Sequence, residues 1–127
     1  MAKVTTIGRV LVPVADQDKA IAFYTQVLGF TLTADTPFGQ GSRWVEVTPP
    51  GGGTAIALVP PQDDYQPGRK TGISLGSPDP RTDHAELAGK GVDVDTEIMG
   101  GDGTVPALFF FRDHDGNTLM IVQEFPG

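Results

Sequence analysis

Apolar residues follow two rhythms along this chain, and the switches between them predict its elements. Residues 7–14, IGRVLVPV, form a nearly unbroken apolar run rich in β-branched side chains, which suits a strand buried on at least one face. Arg9 is the one charge inside it. Ala20, Ile21, Tyr24, Val27 and Leu28 then recur at helical spacing. Asp16 stands where a carboxylate accepts from the free amides of a first turn, and Gly29 can take the left-handed conformation that ends a helix, so a helix is expected over residues 17–28. Residues 30–34, 43–48 and 54–59 read as three strands, divided by the Gly- and Pro-rich stretches DTPFGQG and PPGGG.

After the polar stretch QDDYQPGRK the same order returns: a strand at 72–76, a helix at 79–89, then strands at 92–98, 107–112 and 117–123. Asp16 and Asp79, each heading a helix, lie 63 positions apart, about half of the 127-residue chain. Each helix is followed by Gly and an apolar residue, Gly29-Phe30 and Gly91-Val92. A single internal repeat of that length argues for duplicated modules rather than a solenoid. The fold class expected is therefore α+β: two βαβββ modules in tandem, residues 1–61 and 71–127, joined by a connector at 62–70, within one domain. A four-stranded sheet with a helix on one face leaves its other face needing cover, so the two modules are expected to form a cupped mixed sheet with a ligand cleft.

Composition narrows the chemistry. Without cysteine, disulfides, thiolate metal sites and a cysteine nucleophile are excluded, which is compatible with a cytoplasmic protein. No run approaches the roughly 18 apolar residues of a membrane span. The net charge of −7 lies entirely in the second half, because residues 1–62 carry four acids and four bases while residues 63–127 carry twelve acids and five bases. No basic stripe is present to hold a nucleic-acid backbone, and a cationic ligand would be mildly attracted.

Two segments carry a resemblance. VPVADQDKAIAFYTQVLGF at 12–30 resembles the opening of the vicinal oxygen chelate superfamily, which comprises glyoxalases, bleomycin-resistance proteins and extradiol dioxygenases; RDHDGNTLMIVQ at 112–123 resembles its closing hairpin. The resemblance implies the glyoxalase/bleomycin-resistance fold and, by analogy, a homodimer. Metal-using members take His or Glu ligands from the first and last strands of each module, and lining up the motifs places those positions at Arg9, Ala57, Gly72 and Met120. None of the four is a hard-metal ligand, since such sites need imidazole nitrogen or carboxylate oxygen. No metal or cofactor is therefore expected.

Strand alternation puts Leu11, Ala55, Val59, Ser74, Gly76, Thr118 and Val122 in phase with these positions. In RWVEVT the valines suit the helix side, leaving Trp44 and Glu46 to the cleft, where Trp44 either stacks on a ligand or fills core volume and Glu46 either orients a ligand or pairs with Arg9. One of Phe109, Phe110 and Phe111 at least must point to each face. His84, on a helix surface, and His114, in an Asp-Gly-Asn turn, are not expected to be ligands. The Gly-rich loops at 36–41 and 100–103 are lids or plain connectors. The ligand-binding candidates are Arg9, Trp44, Glu46, Ala57, Gly72 and Met120. The reading favoured is metal-independent binding of a small organic molecule. The alternatives are a metal-free isomerase or lyase with Glu46 as base and Arg9 stabilising an oxyanion, and a metal-dependent lyase or dioxygenase with misplaced ligands.

Overall fold

The computed structural model describes residues 1–39 and 41–124. The chain divides into two compact units, Met1–Pro67 and Gly68–Gly127.

In the first unit, β1 (Arg9–Pro13) leads to α1 (Gln17–Ala22), followed by β2 (Thr31–Pro37), β3 (Arg43–Thr48) and β4 (Ala55–Val59). The strands lie in the order β1-β4-β3-β2, with β1 and β4 parallel and the remaining pairs antiparallel. β4, flanked on both edges, is buried at every position. Val12, Val45, Val47, Ile56 and Leu58 point to one face, where Ala20, Tyr24 and Phe30 are also buried, and this apolar layer is the unit's core. Asp16 caps α1 through the bond from Lys19 N to its Oδ1 at 3.1 Å, as its position predicted.

The helix does not run to Leu28 as a regular α-helix: residues Phe23–Val27 form a π-helical turn. Leu28 N reaches back five residues to Phe23 O at 3.2 Å. Thr25 Oγ1 donates to Ile21 O at 2.7 Å, taking up a carbonyl that the regular ladder would otherwise use for an amide. Hydrophobic spacing does not report this local competition, because it follows which side chains are buried and not which carbonyl each amide bonds. β2 also runs beyond its expected end, through Pro37. Arg43 explains the extension: Nε and Nη2 clamp the two oxygens of Asp35 at 3.0 and 2.8 Å, while Nη1 meets Asp18 at 2.7 Å. Pro37 is tolerated because β2 is an edge strand.

In the second unit, β5 (Lys70–Ser77), α2 (Pro80–Gly89), β6 (Leu108–Arg112) and β7 (Thr118–Gln123) give the order β5-β7-β6, again with the first pair parallel. Asp79 caps α2 as Asp16 caps α1, accepting from Thr82 N at 3.2 Å. The duplication read from the sequence is thus repeated in strand order and in capping.

The expected strand at 92–98 is absent as a ladder. This segment meets β6 at two isolated bridges, Val94 with Phe111 and Met99 with Leu108. Five steps along one segment face three along the other, and two surplus residues break the register that a ladder requires.

The Asp113–Asn117 turn is the tight turn expected, with Gly116 at φ +79°. Asp113 Oδ1 accepts from the amides of Asp115 and Asn117, both at 2.9 Å. Asn117, fully buried, accepts through Oδ1 from Gly68 N at 2.9 Å and Arg69 N at 3.3 Å, so the end of the connector is pinned rather than loose. Upstream, Gln62 and Tyr65 exchange backbone hydrogen bonds, and the Tyr65 hydroxyl donates to Leu11 O.

Hydrogen bonds from Arg43 and Arg112 hold the Asp35 and Asp93 carboxyls below the usual carboxylate range. A carboxyl depressed in the folded state contributes stability that is full above the unfolded value, near 4, and lost as pH falls through the folded value. The thermal midpoint is therefore expected to drop as pH falls below about 4. It should drop less in Arg43→Met, which has no Asp35 pair to lose; equal drops in the two proteins would refute the assignment.

Candidate functional site

Strand register assembles the first unit's open face. Glu46 on β3 lies opposite Ala57 on β4, and Arg9 on β1 beside Ala55. Alternation sends Val45 and Val47 into the core and turns Trp44 and Glu46 to the face opposite α1. There Arg9 Nε donates to Glu46 Oε2 at 2.9 Å, and Trp44 Nε1 donates to the same oxygen at 2.6 Å. Three residue types that the sequence left with open roles thus form one cluster.

Exposure within the cluster is uneven. The Arg9 side chain is 50% exposed and that of Glu46 13%. The ion pair that Arg9 and Glu46 form is therefore open to solvent on the Arg9 side. An exposed pair of this kind adds no more than about 1 kcal/mol to stability, so it serves better to orient side chains than to hold the fold. Both donors converge on Oε2, and among the described residues Oε1 is left for a ligand donor. Phe38, exposed beyond the end of β2, lies with its ring centroid 6.0 Å from that of Trp44 at 54°. Ala57, fully buried, and Leu11, 44% exposed, give this face its apolar ground.

Phe38 was missed from sequence because its loop read as a lid or connector. In the structure, Phe38 N donates to Ser42 O at 2.8 Å, closing the β2-β3 hairpin. Gln40 of that loop lies outside the described residues. The loop at 100–103 is a plain turn: Gly101 N bonds to Val105 O at 2.7 Å, and Asp102 accepts from Thr104 N at 3.0 Å.

The remaining candidates lie in the second unit. Met120 pairs with Ser74 and with Phe110, while Phe109 and Phe111, both fully buried, point to the side of α2. Register thus answers which phenylalanine leaves the core: Phe110 shares the face of Met120. Gly72, with φ +73°, sits in the irregularity between Lys70 and Ser74, a conformation suited to glycine. Glu124 lies so close to Gly76 that an added Cβ would fall 2.6 Å from its Oε1. The α2 histidine needs correction: His84 is half-buried, donating from Nε2 to Asp95 O at 2.7 Å and meeting Phe109 edge-on at 5.0 Å. His114 is exposed.

The four positions where the superfamily's metal ligands align do not fit a divalent ion. They offer a guanidinium bonded to Glu46, a buried methyl, a glycine and a thioether. Glu46 adds one carboxylate, and among the described residues no three His, Asp or Glu side chains gather to hold a metal. Nor is any described helix long and apolar enough to cross a membrane.

Comparison with known proteins agrees with the fold. The family model for the Glyoxalase/Bleomycin resistance protein/Dioxygenase superfamily matches residues 6–121. The protein YetH of Bacillus subtilis (strain 168) is 31% identical over 122 residues, covering 92% of this chain and 97% of YetH. Among solved structures, TnmS3, an antibiotic binding protein from Streptomyces sp. CB03234, is 34% identical with a TM-score of 0.85, covering 98% of this chain and 100% of that one. A superfamily member from Sphaerobacter thermophilus DSM 20745 is 32% identical with a TM-score of 0.89, covering 97% and 100%.

Proposed function

The chain belongs to the Glyoxalase/Bleomycin resistance protein/Dioxygenase superfamily, and on that premise we propose that it sequesters a small organic molecule, without a metal, on the face bearing Arg9, Trp44 and Glu46. The observation that carries the reading is the shared bond to Glu46 Oε2, from Arg9 Nε at 2.9 Å and Trp44 Nε1 at 2.6 Å. Held by its nitrogen, the indole is a fixed wall on which a flat molecule stacks without first paying to order it. Two donors already occupy Glu46 Oε2, which favours a role in orienting Arg9 and Trp44 for binding. The likeness to TnmS3, an antibiotic binding protein, supports the same direction. In this reading the protein works in the cytoplasm as a homodimer.

Trp44 is the chain's one tryptophan, so its fluorescence reports the site alone. Titration with a panel of planar aromatic compounds is expected to give saturable quenching at one ligand per chain, unaffected by chelator, with the compound recovered unchanged. Glu46→Gln keeps an acceptor oxygen and should hold affinity within about three-fold. Stoichiometric metal in the purified protein together with chelator-sensitive binding would overturn metal independence. Turnover of a bound compound that Glu46→Gln abolishes would instead establish the metal-free isomerase or lyase.

A further inference from the structure

We infer that the ligand of this face carries a carboxylate, or a comparable pair of adjacent electron-rich oxygens, beside its flat ring, and that Arg9 recognises them. The inference rests on the binding reading above and names its chemical class.

A guanidinium has five N–H donors in a rigid planar fork. In Arg9 only Nε is engaged, by Glu46, and neither Nη atom meets a partner among the described residues. The Nε bond fixes the plane of the fork and leaves its outer edge, with four N–H groups, to solvent. That edge has the geometry that matches two oxygens side by side.

The charges favour the same sign of ligand. Glu46 is the sheltered member of the pair, with its side chain 13% exposed, whereas Arg9 is 50% exposed, so an approaching molecule meets the cation first. The other arginine of this unit is spent: Arg43 is saturated by Asp35 and Asp18. The acidic surplus of the whole chain points toward cationic ligands, but all of it is carried by residues 63–127, whereas residues 1–62 balance four acids with four bases. Trp44, tied to the same Glu46 oxygen, sets the ring platform in register with the fork.

Three probes of one ring shape test this: 2-naphthoate, 2-naphthylmethanol and 2-naphthylmethylammonium, titrated against Trp44 fluorescence. Naphthoate is expected to bind about ten-fold or more tightly than the alcohol, with the ammonium weakest, and its advantage should shrink as salt is raised. Arg9→Gln should abolish the preference, so that naphthoate and the alcohol bind the variant within about two-fold of each other. Arg9→Lys, which keeps the charge and the Glu46 pair but not the fork, should also lose most of the preference, and it serves if the glutamine variant misfolds. Equal affinity for acid and alcohol, or tightest binding of the ammonium, overturns the role of Arg9 and leaves the binding face standing. If no naphthyl probe binds, both readings fall.

Discussion

Trp44→Ala is expected to fold like the wild type yet bind its best planar probe about 10- to 100-fold more weakly, by loss of the stacking surface. Trp44 lies on the face away from α1, outside the layer formed by Val12, Val45, Val47 and Leu58, so the core keeps its packing. With the only tryptophan gone, affinity must be read by calorimetry. Trp44→Phe separates two contributions. It keeps a ring but loses the Nε1 hydrogen bond to Glu46, and a drop of only a few-fold is expected if stacking dominates. Unchanged affinity in the alanine variant would show that the molecule binds elsewhere.

Asn117→Ala should lower stability by about 2–3 kcal/mol, measured by denaturant or thermal unfolding. The side chain is fully buried, and its partners include the amides of Gly68 and Arg69 and the carboxylate of Asp113, to which Nδ2 donates at 3.2 Å. Alanine removes these side-chain bonds at a buried position, while Asp113 keeps the amides of Asp115 and residue 117. His114→Ala in the same turn is the matched control, since His114 is exposed and its change should stay within about 0.5 kcal/mol. Comparable losses in the two variants would refute the clamp. The contrast also bears on how such motifs are read. In RDHDGN the histidine draws attention as a ligand type, yet the asparagine carries the structure.

Several features were legible in the chain because their causes are local. Asp16 and Asp79 announced two helix starts, since a cap is decided within four residues. Alternation in RWVEVT separated the valines from Trp44 and Glu46. The π-turn at Phe23–Val27 was not legible, because it depends on a threonine hydroxyl competing for one carbonyl. The missing strand at 92–98 was not legible either. Its alternation is that of a strand, but a ladder also needs equal spacing on β6, and the two surplus residues become visible only when the partners are laid side by side.

By itself, the sequence determined the superfamily, the order of the elements apart from the strand expected at 92–98, the caps and the closing turn. Each of these follows from residue identity at a position or from periodicity over a few turns. Only the tertiary structure decided that Arg9 and Glu46, 37 residues apart, meet across β4, with Trp44 sharing the same oxygen. It alone decided that Phe110 rather than Phe109 or Phe111 leaves the second unit's core, and that Arg9 keeps an open edge to its guanidinium. The physical reason is that register between strands is a non-local quantity. It is set by how two apolar faces pack as wholes, and a slip of one residue would turn the same side chains to the opposite face.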